Sequence, residues 1–401
     1  MKRILVFSLA YYPKPVGGAE VAIKEITDRI LPEEVEFHVV TAHFDTALPS
    51  VERMGNVVIH RVGFGARGAS GADTHSVLFY FAKILFVPSA TIALWRLHKT
   101  LHFDALWAMM SYMVFPIVLA RLMGVRIPYV ITLQEGDPFE YVFKRWYIRP
   151  FGGLLTFGFT RATIIQSISE YLKQWALGRG ATCPIEVIPN GVNTKHFSHM
   201  YEEPELSEIK RVLGKQTGDT FLITTSRLVH KNAVDDVIRA LALLPASVKF
   251  AILGTGPDES MIRTLAVVQG VTDRVHFLGQ VEHTDMPKYL KACDIFIRPS
   301  RSEGMGNSFI EAMAAGMPVI ATQEGGIADF LFDEKRNTDK PTTGWAVDRD
   351  NPADIAAAVQ DILTRPEKVR EVTATARAMV VARYDWNLVA REMHERVFGR
   401  L

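Results

Sequence analysis

The feature that most constrains this 401-residue chain is the alternation of short apolar runs with helical patterns along its whole length. Short apolar runs bounded by turn residues are typical of buried strands, and the patterns between them are long enough for crossover helices. The predicted strands lie at 3–9, 36–41, 57–62, 105–108, 128–132, 163–166, 186–188, 221–225, 248–253, 275–278, 295–298, 318–321 and 344–347. This alternation predicts the α/β class, with doubly wound parallel sheets covered by helices on both faces.

The length favours two domains, because single domains commonly have about 150 residues. A turn-forming cluster, Pro189-Asn190-Gly191-Val192-Asn193, is followed by a polar stretch at 201–215, which is typical of a domain boundary. We therefore predict an N-terminal Rossmann-like domain over 1–190 and a C-terminal one over 191–380. The amphipathic segment 381–401 is predicted to be a helix that packs back toward the first domain.

Charge and cysteine usage exclude several classes of protein. The chain has 45 Lys and Arg against 44 Asp and Glu, and this balance argues against a nucleic-acid partner. Its two cysteines, Cys183 and Cys293, form neither a disulfide framework nor a zinc-ligand spacing, which fits a reducing compartment. The apolar run 4–10 lacks a small-residue cleavage site after it, so we expect a buried strand and a cytoplasmic protein.

The strongest local signal is the segment 299–313, which follows a predicted buried strand and leads into a predicted helix. Ligands of parallel α/β sheets bind outside the carboxyl ends of the strands. Gly304 and Gly306 would let a ligand approach the backbone, and the N–H groups of the new helix attract anions. The carboxylates of Glu303 and Glu311 are suitable acceptors for the vicinal hydroxyls of a ribose or a sugar.

A purely structural interpretation of part of this segment is also open. Ser308 and Glu311 have the spacing of a helix capping box, and Gly316 followed by Pro318 is an ordinary helix stop. That interpretation leaves Glu303 and the two loop glycines without a role.

Glu303-x7-Glu311, in this strand–loop–helix setting, resembles the E-x7-E signature of the retaining glycosyltransferases of family 4. Other segments resemble motifs of the same family in the same order, namely 17–20, 188–193, 226–232, 253–257 and 324–326. The resemblance implies the GT-B fold, with two doubly wound Rossmann-like domains facing a cleft. It also implies transfer of a sugar from a nucleotide-sugar donor, UDP- or GDP-linked, to an acceptor hydroxyl in cell-surface or lipid-linked glycan synthesis.

The resemblance also assigns donor-side residues. Arg227 and Lys231 would bind the diphosphate, and fixed cations at a strand end suit a leaving group that gains negative charge; a solvated, salt-bridged loop is the alternative. Glu311 would bind the ribose and Glu303 the donor sugar. Backbone groups that complete the donor site would come from the second domain at Gly304, Met305, Gly306 and Asn307 and from the first at Gly17 and Gly18.

The acceptor side departs from the family pattern. After the strand at 128–132, Gln134 stands near the place of a common family histidine. Glu135 and Asp137 are candidates for contacting the acceptor or handling its proton, with a polar turn as the alternative. Because of this departure, an alternative function for the chain is that of a catalytically silent, nucleotide-binding partner of a glycan-assembly complex. A nucleotide-sugar epimerase of the same fold is a further alternative.

Membrane and metal signals are weak. The apolar run 77–95 contains Lys83 and Pro88, so we expect a crossover helix and not a membrane span. Basic and aromatic residues alternate at 144–151, which suits peripheral contact at the inner face of a membrane or an anionic acceptor; an ordinary solvated surface is the alternative. No cluster has metal-ligand spacing, and Asp348-Arg349-Asp350 is predicted to cap a helix. We therefore expect neither a metal nor another cofactor.

Overall fold

The computed structural model describes residues 1–13, 17–68, 77–146 and 148–401, and it divides into two compact units. The N-terminal unit consists of Met1–Asn190 together with Trp386–Leu401, and the C-terminal unit consists of Gly191–Asp385. Each unit has its own sheet, as the two-domain prediction requires.

The sheet of the N-terminal unit has eight strands, in the order β3-β4-β2-β1-β5-β6-β7-β8. All its strand pairs are parallel except β3 with β4. The strands are β1 (Lys2–Phe7), β2 (Val35–Ala42), β3 (Val51–Met54), β4 (Val57–Val62), β5 (Ala105–Met109), β6 (Tyr129–Leu133), β7 (Ile164–Ser167) and β8 (Ile185–Val187). Its central strands are buried, because helices connect the parallel neighbours and cover the sheet faces.

Six helices of the N-terminal unit lie between or after these strands. They are α1 (Gly18–Thr27), α2 (Val77–Leu101), α3 (Val114–Leu122), α4 (Phe139–Phe143), α5 (Gly152–Thr160) and α6 (Glu170–Gly178). The apolar run 77–95 therefore lies within the crossover helix that leads to β5, as predicted. Within the described residues, none of the helices is both long and apolar enough to span a membrane.

The last residues of the chain pack into the N-terminal unit. They form a helix at Trp386–Glu392, a π-helical turn at Met393–Val397 and a 3-10 turn at Phe398–Arg400. The ring of Phe398 lies 5.1 Å from that of Trp107 in β5, and Arg396 and Arg400 both donate to the carboxylate of Glu186. The predicted C-terminal segment began at 381, whereas residues 381–383 complete a helix of the C-terminal unit.

The C-terminal unit has a six-stranded parallel sheet in the order β11-β10-β9-β12-β13-β14. Its strands are β9 (Thr220–Thr225), β10 (Val248–Leu253), β11 (Val275–Gly279), β12 (Ile295–Arg298), β13 (Val319–Ala321) and β14 (Trp345–Ala346). Its helices are α7 (Thr194–Phe197), α8 (Glu203–Leu213), α9 (Val234–Leu241), α10 (Glu259–Val268), α11 (Met286–Ala292), α12 (Asn307–Ala314), α13 (Pro352–Thr364) and α14 (Pro366–Arg383).

The structure confirms the predicted α/β class with two parallel-sheet, Rossmann-like units. Every predicted strand is present, within about two residues at each end. The sequence prediction lacks β3, because Val51–Met54 is a short, largely exposed edge strand with two adjacent charged residues at its centre and therefore no apolar run. The predicted C-terminal helix is in fact divided among three helical conformations.

Two histidine side chains are hydrogen-bonded to each other in the N-terminal sheet. His38 Nδ1 lies 2.9 Å from His60 Nε2, and the planes of the two rings differ by 12°. Burial, reinforced by the neighbouring His38, lowers the pKa of His60 to about 4. Since the unfolded chain binds more protons than the folded one between that value and the ordinary 6.5, folding stability should rise with pH across this window.

His60→Phe should therefore flatten the pH dependence of stability. We expect the free energy of unfolding of the native chain to fall by on the order of 1–2 kcal/mol more than that of the variant as the pH drops from about 6.5 to about 4. Urea unfolding across this range measures the difference, with the exposed His199→Phe as control. Parallel profiles for the native chain and His60→Phe would contradict the assignment.

Candidate donor and acceptor sites

The predicted donor residues of the C-terminal unit lie at the carboxyl ends of two neighbouring strands. Arg227 follows β9, and Lys231 lies in the 3-10 turn His230–Asn232 beyond it. Glu303 lies in the loop after β12, and Glu311 is in α12. Because β9 and β12 pair directly, the two segments start from the same edge of the sheet. The structure therefore places these four residues where parallel α/β sheets bind ligands.

A glycine turn holds the segment that carries Arg227. The Leu228 N–H donates to the Thr255 carbonyl at 3.0 Å, and the Asp258 N–H donates to the Leu228 carbonyl at 3.1 Å. A Cβ atom at Gly256 would overlap that same Leu228 carbonyl. The sequence 254–256 thus serves close backbone packing and not a dinucleotide site.

Arg227 itself is exposed. Its guanidinium has no hydrogen bond or ion pair within the described part of the chain, whereas its carbonyl accepts from Asn232 Nδ2 at 2.6 Å. The backbone is therefore fixed while the cation stays available. Lys231 contributes its carbonyl to the Arg301 N–H at 2.7 Å, which links its turn to the loop after β12.

Arg301 joins the two segments through its side chain as well. Its guanidinium donates to Asp235 and Asp236 at the start of α9, to the His230 carbonyl and to Asp350. Burial alone would lower the pKa of Arg301, but the hydrogen bonds to Asp235 and Asp350 raise it above its ordinary value. The pKa of Asp235 is lowered despite burial, because Arg301 and Arg239 both bind its carboxylate.

A second buried arginine holds Glu303. Arg298 ends β12, and its Nη2 donates to Glu303 Oε2 at 2.8 Å while its Nη1 donates to Ser308 Oγ at 2.7 Å. The guanidinium also lies 4.2 Å from the centre of the Phe309 ring. Burial lowers the pKa of Arg298. The loop and the first turn of α12 are thus held by one side chain.

Gly306 needs to be glycine for two reasons. Its φ is +89°, and a Cβ there would come within 2.5 Å of the Phe309 ring. It is also the N-cap residue of α12 and provides no side-chain cap. Glycine at the N-cap position therefore supplies no side-chain acceptor to the first turn of α12, the part of a helix that attracts anions.

The capping box predicted for Ser308 and Glu311 does not form. Ser308 lies inside the helix and accepts from Arg298, while Glu311 Oε1 pairs with His283 Nε2 at 3.0 Å. The carboxylate is mostly buried and His283 is mostly exposed. Glu311 is therefore held by a residue of the loop after β11, so that its role is not helix capping.

Several buried polar atoms at this edge lack a protein partner. Within the described residues, these are Thr224 Oγ1, Ser226 Oγ, Ser300 Oγ and Arg298 Nε. Thr224 and Ser226 flank the end of β9, and Arg298 and Ser300 flank the end of β12. Buried polar groups are normally satisfied, so unpaired ones concentrated here are consistent with a polar ligand or water at this edge.

In the N-terminal unit, Gly17 and Gly18 begin α1. Gly17 is its N-cap residue, and its N–H donates to Glu20 Oε2 at 2.6 Å. No heavy atom lies within 4 Å of a Cβ placed on Gly18. The space beside the start of α1 is therefore open at Gly18, whereas the N–H of Gly17 is already hydrogen-bonded to Glu20.

The predicted acceptor residues lie at the carboxyl end of β6. Glu135 is buried, and its two carboxylate oxygens accept from the Ser111 N–H at 2.6 Å and the Gln134 N–H at 3.0 Å. Burial raises the pKa of Glu135 despite these hydrogen bonds. Gln134 exchanges two amide hydrogen bonds with Asn190. Asp137 lies in the same loop, three residues after Gln134.

The residue before Ser111 is strained. Met110 has a φ of +73° at the end of β5, which is uncommon for a residue with a side chain. This conformation directs the Ser111 N–H to Glu135. Strain of this kind persists where the surroundings over-determine it, and it is concentrated at functional sites.

No group of three or more His, Cys, Asp or Glu side chains in the described residues could hold a metal ion. Asp348 and Asp350 pair with Arg336 and Arg301. The cap of α13 is Asn351, whose Oδ1 accepts from the Asp354 N–H at 3.1 Å, so neither aspartate of 348–350 caps the helix as predicted.

Sequence reasoning missed the residues that position the site. Arg298, Arg301 and His283 touch the predicted residues or their loops. Arg301 lies within the segment 299–313 but was given no role, and Arg298 and His283 lie outside the recognised motifs. Two signals were present in the sequence: a charged residue at the end of the apolar strand 295–298, and the adjacent acids Asp235 and Asp236 just after the Arg227 segment.

The architecture of the two units defines the class of protein. Sucrose-phosphate synthase from Thermosynechococcus elongatus superposes with a TM-score of 0.83 at 18% identity, and each chain is covered fully. Anabaena Alr3699/HepE, in complex with UDP and glucose, gives 0.78 at 19% identity, again over the whole of both chains. The chain thus has the GT-B fold.

Sequence comparison then gives the family. Residues 16–196 match the model described as Glycosyltransferase Family 4, and residues 206–379 match the one described as Glycosyl transferases group 1. The chain belongs to the family 4 glycosyltransferases. It is also 30% identical to the GDP-mannose-dependent monoacylated alpha-(1-6)-phosphatidylinositol monomannoside mannosyltransferase of Corynebacterium glutamicum. That match covers 58% of this chain and 61%, or about three fifths, of the relative.

Removing the Arg301 side chain should destabilise the C-terminal unit. In Arg301→Met, Asp235 and Asp236 lose one of the two arginines that bind them, and we expect the free energy of unfolding to fall by on the order of 3 kcal/mol. Urea unfolding measures this loss. Arg370→Met, which removes an exposed pair with Glu367, should have little effect. Equal, small effects of the two changes would show that Arg301 does not hold these segments.

Gly256→Ala should disturb the same site from its other side. The added methyl would overlap the Leu228 carbonyl, so the turn must move, and we expect a cost of about 1–3 kcal/mol in stability. Thermal unfolding measures it against Gly178→Ala, whose Cβ would meet nothing within 4 Å. An unchanged melting temperature in Gly256→Ala would contradict the close packing.

Proposed function

We propose that this protein is a retaining glycosyltransferase that moves a sugar from a UDP- or GDP-linked donor to an acceptor hydroxyl. The observation that carries the proposal is the exposed guanidinium of Arg227, which has no partner among the described residues, on a fixed backbone at the sheet edge where Glu303 and Glu311 also lie. An available cation beside two held carboxylates suits a ligand that combines a diphosphate with hydroxyl groups.

Each donor-side residue has a distinct role in this proposal. Arg227 and Lys231 bind the diphosphate and stabilise the charge that it gains as the glycosidic C–O bond breaks. Glu311 accepts hydrogen bonds from the ribose hydroxyls in place of His283. Glu303 and the Gly304–Asn307 backbone bind the donor sugar, and Gly17 and Gly18 contribute backbone groups toward the phosphates.

On the acceptor side, we propose that Gln134 and Asp137 bind the incoming hydroxyl group and that Glu135 positions the backbone around them. The acceptor oxygen attacks the anomeric carbon on the face from which the diphosphate departs, and its proton passes to a phosphate oxygen of the leaving group. That route requires no protein base, which is consistent with the amide of Gln134 in this place. The buried Glu135 acts by orienting the Ser111 and Gln134 backbone.

The proposed acceptor is a lipid-linked or cell-surface glycan, and the proposed location is the inner face of a membrane. Support comes from the phosphatidylinositol monomannoside named as substrate of the Corynebacterium relative and from the basic and aromatic residues at 144–151. Tyr147 of that segment lies outside the described residues. We propose further that the reaction needs no metal, because Arg227 and Lys231 supply the cationic charge for the diphosphate.

Nucleotide binding tests the donor site directly. We expect one of UDP and GDP to raise the melting temperature of the full chain, with EDTA present as well, since a ligand that binds only the folded state stabilises it by about 2.7 kcal/mol at a hundredfold excess over Kd. Arg227→Ala and Glu311→Ala should abolish the shift. Arg370→Ala is the control. A shift that survives in both site variants would mean that the nucleotide binds elsewhere.

A second candidate function is a catalytically silent nucleotide-binding partner. The observation that favours it is the reciprocal amide pair of Gln134 with Asn190, which occupies a side chain that stands in place of a histidine. Transfer from radiolabelled donor to membrane-extracted acceptors separates the two candidates. An active enzyme should lose activity in Asp137→Ala or Gln134→Ala, whereas a silent partner binds nucleotide and shows no transfer in any variant.

A further inference from the structure

Helix α2 presents an apolar face to solvent. Five large apolar side chains on it are between 40 and 66% exposed, and Pro88 among them is exposed too. Apart from the adjacent Ile84 and Leu85, they follow one another at spacings of three or four residues, so they form one stripe about 21 Å long. We call this stripe the α2 outer face; its members are Phe81, Ile84, Leu85, Pro88, Ile92 and Trp95.

The opposite side of α2 already packs on the N-terminal unit. Ala82, Phe86, Ala90 and Leu94 are buried, and Thr91 Oγ1 donates to the Pro116 carbonyl of α3 at 3.4 Å. The helix is therefore apolar on both sides. A surface helix normally turns a polar face to water, so folding of this unit does not explain the α2 outer face.

The charges of α2 are of one sign. Val77–Leu101 contains Lys83, Arg96 and Lys99 and no aspartate or glutamate. Lys99 and Arg96 lie at one end of the outer face, and Lys99 Nζ is 3.3 Å from the centre of the Trp95 ring. An apolar stripe that ends in a tryptophan next to cations is typical of a helix that lies in the interface of an anionic bilayer.

A second surface of the same composition lies in the same unit. Tyr141, Trp146 and Phe151 are more than half exposed, and Arg145 lies 3.8 Å from the centre of the Tyr141 ring. Lys144 and Arg149 add positive charge, and Glu140, which pairs with Lys144, is the one acid in 140–151.

Helix α2 and the 141–151 segment both contact the start of α3. The Phe115 ring lies 6.3 Å from that of Phe151, and the carbonyl of the neighbouring Pro116 lies 3.4 Å from Thr91 Oγ1 of α2. The two segments that carry the exposed apolar residues are therefore packed on the same turn of α3. Tyr112, just before that turn, donates to the Val142 carbonyl and so joins α4 to the same region.

We propose that the α2 outer face is the part of this protein that inserts into an anionic phospholipid bilayer, with Tyr141, Arg145, Trp146 and Phe151 contacting the headgroups. The proposal extends the proposed function, which supplies a lipid-linked acceptor as the reason for contact. Charge selects the bilayer as the occupant, because cations border both apolar surfaces and a single, paired carboxylate stands among them. Anionic lipids attract such clusters.

Vesicle co-sedimentation of the full chain tests this proposal without using transfer activity. The chain should bind mixed phosphatidylcholine–phosphatidylglycerol vesicles, and high salt should weaken this binding. The triple change Ile84→Gln, Ile92→Gln and Trp95→Gln should weaken it roughly tenfold or more, because three apolar side chains no longer enter the bilayer. Glutamine is a good helix former, so exposed positions of α2 should tolerate it.

A matched control comes from α10 in the C-terminal unit. Met261, Val267 and Val268 are as exposed as the three residues of α2, and their triple change to glutamine should leave vesicle binding unchanged. The melting temperature and its shift with nucleotide should be the same in both triple variants. If neither nucleotide raises the melting temperature of the native chain, the proposed function is contradicted, whereas the membrane proposal is not affected.

Three outcomes would overturn the membrane proposal. The native chain does not bind the mixed vesicles; or the α2 variant binds them as well as the α10 variant does; or the α2 changes instead convert a dimer into a monomer in the absence of vesicles. In the last case, a second copy of the chain, and not lipid, covers the α2 outer face.

Discussion

The site of the C-terminal unit depends on one buried arginine. Arg301 binds Asp235, Asp236, Asp350 and the His230 carbonyl, while its own N–H binds the Lys231 carbonyl. These bonds connect the segment after β9 to the loop after β12. They hold the turn of Lys231 next to the loop that carries Glu303. A fixed backbone with an Arg227 guanidinium that is unpaired within the described residues is the arrangement expected of a preorganised anion site, because the cation then needs no rearrangement when the diphosphate arrives.

The two carboxylates of the site are also held by protein partners. Arg298 holds Glu303 and the first turn of α12, and His283 holds Glu311. Each predicted ligand-binding carboxylate therefore has one protein partner and further lone pairs for a ligand. The unpaired hydroxyls of Thr224, Ser226 and Ser300 lie at the ends of the same two strands. Burying a polar group without a hydrogen-bond partner costs free energy, so the concentration of such groups at this edge indicates a binding site for a polar ligand.

The fold was predictable from the sequence because its physical signal is local. Apolar runs and turn clusters predict the strands of both sheets, except for the short, exposed β3, which has no apolar run. The candidate site was predictable as a set of motif residues, since spacing along the chain places them at strand ends. The partners of those residues were not predictable: Asp235 and Arg301 are far apart in sequence, and only the pairing of β9 with β12 brings them together. At Ser308, in contrast, the local pattern was misleading. Its spacing to Glu311 fits a capping box, but its hydroxyl accepts a hydrogen bond from the buried Arg298.

The central claim is that the nucleotide of the donor binds at the ends of β9 and β12. Hydrogen–deuterium exchange on the full chain, with and without the nucleotide that raises its melting temperature, tests this claim most directly. We predict slower exchange in peptides covering 226–232 and 303–311, with little change in α10 and α14. Protection confined to the N-terminal unit, or absent from both of these segments, would contradict it.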